Sequence, residues 1–370
     1  MRTSPLHDKL AAHDVAFDAR YGCEVAARCA DADTEYARVR DSVGITDVSY
    51  MQTFCIPEEE GIDFLDSLFA GNVARIRFGR VLHTFLADDD GKLLADCYVA
   101  NNDDEFVVLC ESLVDDETLA GVFAANGAAD AGLQDLSATH AVISIDGCRA
   151  WAVVKDLFGA DVLGLPYLSI EVYPFDDVEV RLLRAGKTAE FGYLLVVPDQ
   201  AAEALFDTVL SRAAEVEGGG LCGVDIHHDL RLEGRFFDIY AEGAEVRDPL
   251  ELGLQWMIDF DKDEFRGREA ILARRDAGQQ QKVIGVRFDG NNDAFAAGAE
   301  LYDGDDAVGR IVTTARSRVL EADLGLAMLR MDAAYAGLRL ALGSADGPAV
   351  QTISMPPIMP KSLGIRLDEL

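Results

Sequence analysis

The chain predicts an α+β fold built on antiparallel sheets, and three observations carry that reading. Strand and helix patterns are mixed without the βαβ rhythm that a parallel sheet requires. Three β-prone segments within residues 81–110, joined by tight polar turns, describe an antiparallel meander. From about residue 280 the helical signals fade and short strand patterns continue, which predicts two regions, 1–280 and 281–370.

The elements follow in order. Residues 31–43 form a polar helix pattern that ends at Gly44, and Ile45, Val48, Phe54 and Ile56 then lie in β-prone company. Residues 58–70 carry Ile62, Leu65, Leu68 and Phe69 at helical spacing, behind three glutamates placed where the helix dipole favours them. The meander turns at Asp90-Gly91 and again across 101–105. Residues 111–125 return to helix, 141–145 form a short buried strand before Asp146-Gly147, and the helix 150–158 stops at Gly159. Segments 167–173 and 178–183 read as paired strands and 191–197 as another, after which Asp199 caps a helix over 200–216. Gly218-Gly219-Gly220 lacks the GxGxxG or Walker spacing of a phosphate cradle and reads as a flexible turn. The C-terminal region places strands near 282–288, 308–313, 324–330 and 349–353.

Composition narrows the function classes. At 370 residues, 49% hydrophobic and 27% charged, the chain is globular and has room for two or three cores. Its 66 acidic and 33 basic residues give a net charge of −33, spread over runs such as Asp88-Asp89-Asp90, Asp103-Asp104-Glu105 and Asp115-Asp116-Glu117. Such a coat repels itself at low salt and is screened by concentrated salt, as in a salt-rich cytoplasm. It excludes nucleic acid as a partner, because phosphate binding needs a basic stripe. No apolar run reaches the ~18–20 residues of a membrane span and no secretory signal opens the chain, so a cytoplasmic location and no membrane partner are expected. The seven cysteines form no CxxC pair and the six histidines no HExxH helix, so buried reduced thiols and no metal site are expected.

The chemistry is placed on the middle strand of the meander. Asp96 stands between Leu94 and Tyr98, where an unpartnered carboxylate is costly. It is either a structural acid bonded to a nearby N–H or one held for function.

Several motifs in one order then resemble the folate-dependent glycine-cleavage T-protein family of aminomethyl and methyl transferases. They include VGITDVSYM (43–51), GKLLADCYV (91–99), ISIDGCRAWAVV (143–154), KTAEFGYLLVVP (187–198), LRLEG (230–234) and VGRIVTTARSRVLEADLGLAMLR (308–330). The fullest match is DPLELGLQWMIDFDKDEFRGREAIL (248–272), and the resemblance covers roughly residues 40–357. It implies a three-lobed cloverleaf of antiparallel sheets with flanking helices, a small C-terminal β-barrel, and a central channel for tetrahydrofolate. It implies Asp96 as the catalytic carboxylate, with Tyr50, Tyr98, Glu190, Tyr193, His227 and Arg231 as folate-contacting residues. Tyr50 has strand packing as an alternative reading, and Arg231 with Glu233 a structural ion pair or strand-edge contact. Trp256 reads as core.

The chain departs from the family pattern at Ala95, where an Asp precedes the catalytic one, at Leu194, where a Glu follows Gly-Tyr, and at His227, where an Arg stands. A demethylase-type paralogue taking a methyl group from a small N-, O- or S-methyl donor is therefore expected. The alternatives are glycine-cleavage aminomethyltransferase proper, which would add a lipoyl carrier protein as partner, and a non-catalytic folate-binding regulator.

Overall fold

The computed structural model describes residues 1–290 and 293–367. Its centre is an eleven-stranded sheet made of two halves. One half runs Gly220–Leu221, Gly44–Asp47, His140–Asp146, Gly192–Pro198, Val178–Arg184 and Ser169–Phe175; the other runs Arg80–Ala87, Leu93–Asn101, Glu105–Ser112, Gln52–Pro57 and Gln134–Asp135. A single registered pair, Ser169 with Arg80, joins them, so the sheet folds open along that seam. A small three-stranded sheet lies at the N-terminus, and six strands between Gln281 and Ile353 close into a barrel.

Period-two alternation decides which side chains reach the space between the halves. In Gly192–Pro198, Tyr193, Leu195 and Val197 enter one core with Ile143 and Ile145, while Leu194 and Val196 face the other way. In Leu93–Asn101, Ala95, Cys97 and Val99 enter a second core with Phe106 and Val108, while Tyr98 and Ala100 join Leu194 and Val196 in a shared third cluster. Asp96 follows the Tyr98 side. Helices seal the outer faces. Asp199–Glu215 contributes Leu205, Phe206 and Val209 to the first core, and Glu58–Leu68 and Asp116–Ala125 contribute Leu65, Leu68, Leu119 and Phe123 to the second.

The helix Asp225–Gly234 ties the sheet to the barrel. Its Glu233, fully buried, accepts from Tyr36 Oη at 2.7 Å, Arg40 Nη2 at 3.0 Å and the barrel hydroxyl Ser317 Oγ at 2.6 Å. A second tie runs through Gly267 (φ +81°). A Cβ there would lie 2.4 Å from the Asp88 carbonyl and 2.8 Å from Gly91 Cα, so only glycine lets this segment press on the turn that precedes the Asp96 strand.

Four expectations are corrected. Helix 111–125 begins only at Asp116, because Glu111 continues the strand Glu105–Ser112 and pairs in register with Asp96. Arg231 and Glu233 are helical rather than strand-edge residues, and each has other partners than the other. Asp199 opens its helix without a side-chain cap bond. Trp256 is 63% exposed rather than core, its ring edge-on to His83 at 5.3 Å.

Candidate active site

A small cleft opens between the two half-sheets and the helix Asp225–Gly234. Its wall combines apolar Val48, Met51 and Leu194 with Tyr50, Tyr98, Glu111, Asp146, Lys187, His227 and Arg231. Among the sequence-predicted residues, Tyr50, Tyr98, His227 and Arg231 therefore share one wall.

Asp96 lies just behind that wall, 1% exposed. Its Oδ1 is 2.7 Å from His83 Nε2, and its Oδ2 accepts from Lys187 Nζ at 2.5 Å. Lys187 also donates to Glu111 Oε2, and its ammonium sits 5.5 Å from the centre of the Tyr98 ring. Glu111 continues the chain, accepting from Arg231 Nη2 at 2.6 Å and Nη1 at 3.2 Å, and from Tyr50 Oη at 3.0 Å. Arg231 Nη1 then approaches Asp238 Oδ1 at 3.6 Å, and Asp238 Oδ2 lies 3.4 Å from His228 Nδ1.

These groups hold one another charged. Burial alone would raise the Asp96 carboxyl, but His83 and Lys187 outweigh it and keep it below its ordinary range. Burial acts likewise on Glu111, where Arg231 and Lys187 together drive the carboxyl far down. Burial disfavours the Lys187 ammonium, yet Asp96 and Glu111 lift it above its usual value. Desolvation opposes charge on His228 as well, but Asp238 and the Thr314 carbonyl raise it to about 9. The carboxylates Asp96, Glu111 and Asp238 thus alternate with Lys187, Arg231 and His228, with His83 on the outer oxygen of Asp96, in a dry interior where ion pairs persist only if well matched.

Two wall groups stand outside this chain. Asp146, 2% exposed, accepts from the Ser144 hydroxyl and, on Oδ1, from Thr188 Oγ1 at 3.2 Å; burial raises its carboxyl to about 6. His227 is buried with Nε2 unbonded, and desolvation followed by the Arg231 charge lowers it to about 4, so it is neutral at pH 7. A buried ring nitrogen without a partner, among carboxyls, aromatic rings and apolar side chains, fits a flat heterocycle bearing N–H donors and acceptors. The wall therefore suits a folate ring.

Two predicted site residues go elsewhere. Tyr193 enters the core behind the sheet, since it alternates with Leu194 and only Leu194 faces the cavity. Glu190 is turned away by Ala189 (φ +71°) and anchors the C-terminal segment, accepting from the backbone N–H of Lys361 at 3.2 Å and Ser362 at 2.9 Å. Conversely, Lys187, Glu111, Asp146 and His83 were missed. Lys187 and Asp146 sit inside the quoted motifs KTAEFGY and ISIDG, where an unexpected charged residue was the available signal. Glu111 was hidden by its helical reading. Nothing in the sequence around His83 sets it apart from a strand residue.

Among the described residues, no group of three or more His, Cys, Asp or Glu side chains could hold a metal ion, and no helix is long and apolar enough to cross a membrane.

The fold and this wall of matched charges, set beside known proteins, define a one-carbon transferase. The family described as the GCVT N-terminal domain matches residues 6–262. An aminomethyltransferase of Mycolicibacterium paratuberculosis is 30% identical over 306 residues, 81% of each chain. One from Halothermothrix orenii is 26% identical over 354 residues, 91% of this chain and 94% of that one. The crystal structure of glycine cleavage system aminomethyltransferase T from Bartonella henselae superposes with a TM-score of 0.83 over 97% of this chain and 98% of that one; at 18% identity it speaks for the fold. The chain belongs to the GCVT family, the glycine-cleavage T-protein family of tetrahydrofolate-dependent transferases.

Proposed function

We propose that this protein moves a methyl group from a small N-, O- or S-methyl donor to tetrahydrofolate. The observation that carries the reading is the Lys187 ammonium, seated 2.5 Å from Asp96 and bonded to Glu111 at the cavity wall. An aminomethyl donor brings an amine that a carboxylate can orient, but here an internal ammonium already satisfies that carboxylate. When bound, tetrahydrofolate supplies the nitrogen that accepts the one-carbon unit. Arg231 and Lys187 fix Glu111, Tyr50 donates to it, and Asp96 acts as a positioning residue that holds the Lys187 head at the wall. Leu194, Met51 and Val48 exclude water from one side.

The second reading is glycine-cleavage aminomethyl transfer with a lipoyl carrier protein, favoured by the name shared by the relatives at 26–30% identity. An acidic, lysine-poor surface suits such a carrier only if the carrier is basic or salt is high.

The test has two parts. Tetrahydrofolate at saturation is expected to raise Tm, since a ligand that binds only the native state stabilises it. No shift sinks the folate reading. A panel of methylated donors, followed by mass detection of methyltetrahydrofolate, then separates the two readings; methylenetetrahydrofolate formed only from an aminomethylated lipoyl carrier favours the second. In Asp96→Asn, transfer is expected to fall at least ~100-fold with the fold retained; unchanged turnover removes Asp96 from the mechanism.

A further inference from the structure

We infer that Asp146, and not Asp96, is the carboxyl that meets the ligand, and that it binds a pair of adjacent N–H donors on a flat heterocycle. The inference rests on the folate reading, in which those donors are the aminopyrimidinone edge of the pterin.

The polar inventory of the wall leads there. Asp96 is not a wall residue, and both of its oxygens are engaged, one at His83 and one at Lys187. Glu111 is on the wall, but Lys187, Arg231 and Tyr50 occupy it. Asp146 is on the wall and no cation lies within ion-pair distance of it among the described residues; its two protein partners are hydroxyls, one on each oxygen. A carboxylate offers about four acceptor positions, so two remain. The chain also makes room for this group. A Cβ on Gly186 would lie 3.0 Å from Asp146 Oδ1 and one on Gly192 2.9 Å from it, so any larger residue at either position crowds the carboxyl. On the same wall the unbonded His227 Nε2 is a second buried polar atom awaiting a partner. Two parallel N–H donors on a planar edge match a carboxylate as a guanidinium does, and charge-assisted pairs of this kind are about twice as strong as neutral ones.

Asp146 accepts such donors fully only as a carboxylate, and it titrates at about 6. The charged or titratable groups around it are Arg231 and His227 on one helix, Arg40 on another, Lys187, Glu111, Tyr50 and Tyr98 on the same wall, and Tyr167 and Cys222 beyond. His227, at about 4, changes charge below the pH window of interest.

The probe is 5-formyltetrahydrofolate, which carries the aminopyrimidinone edge without a basic N5, titrated calorimetrically into the full chain. Wild-type affinity is expected to rise about tenfold between pH 5 and pH 7.5, the gain in carboxylate for a group at about 6. Asp146→Asn is expected to bind at least tenfold more weakly at pH 7.5 and to lose that pH dependence, while Asp96→Asn keeps it. A wild-type affinity that is flat over this range, or an Asp146→Asn variant with wild-type affinity and pH profile, overturns the assignment. The wild-type profile decides even if the variant does not fold. If tetrahydrofolate itself neither binds nor stabilises the wild type, the folate reading fails and this inference with it; binding with a flat profile ends the inference alone.

Discussion

Replacing Lys187 by Met tests whether the wall is a matched ion chain. Methionine keeps the volume of the side chain and removes its charge. Asp96 then retains only His83, and Glu111 retains Arg231 and Tyr50, with both carboxylates desolvated. Removing one partner of a buried pair costs about 3–5 kcal/mol. With an unfolding entropy of roughly 2.1 cal/mol/K per residue over the whole chain, that is a fall in Tm of about 4–6 °C. The pH dependence is more telling than the size. In the wild type the lowered Asp96 carboxyl contributes stability that is present above its unfolded value of 3.8 and is lost as pH falls through the folded one. Without Lys187 the carboxyl keeps His83 but loses one of its two lowering cations while burial still raises it, so it is expected to move up from its wild-type position and the variant to gain stability relative to wild type as acidification protonates it. Guanidinium denaturation at pH 7.5 and pH 5 should therefore show the gap narrowing. A gap of the same size at both values, or none at pH 7.5, would refute the ion-chain account.

Two further predictions concern the frame around the site. Gly267→Ala should lower stability by about 1–2 kcal/mol from the left-handed backbone alone, with more added by displacement of the Asp88 carbonyl 2.4 Å away; a Tm within a degree of wild type would show that the turn yields freely. His228→Asn should destabilise most below pH 6.5 and lose its effect as pH rises through about 9, because a raised folded value contributes stability only while the ring is charged. Denaturation midpoints at pH 6 and near pH 10 check the sign, and an effect that grows with pH would contradict it.

Much of the fold was legible because its signals are local. Glu58–Leu68 shows helical spacing behind three acids, and the Asp90-Gly91 turn announces the meander. The identity of the facing residue was harder wherever a strand is apolar on both sides. In Gly192–Pro198, nothing in Tyr193-Leu194-Leu195-Val196 distinguishes core from cavity, so Tyr193 was expected at the site and Leu194 was noted only as a loss. Asp96 was found because one charged residue in an apolar strand is conspicuous by its cost. Its partners were not, because Lys187 arrives from a loop 91 residues away and Glu111 from a strand whose end resembles a helix start. Trp256 shows the reverse error: a large apolar ring in a strongly matching motif suggested core, yet it lies in solvent beside His83. Glu190 kept a recognisable place in its motif while one left-handed residue, Ala189, sent its side chain to another task.

The matched ion chain also separates two responses to ionic strength. The acidic runs at Asp89-Asp90, Asp103-Asp104 and Asp115-Asp116-Glu117 lie in solvent, where mobile ions shorten the reach of each charge from ~8 Å at 0.15 M to ~3 Å at 1 M. Asp96, Glu111 and Lys187 are each at most 7% exposed, and dissolved ions do not enter between them. Added salt thus relieves the repulsion of a chain carrying −33 charges while leaving the field inside the cavity almost unaltered. Ionic strength thus acts on how much of the protein is folded and on the approach of charged partners, and far less on the ion pairs inside the folded molecule.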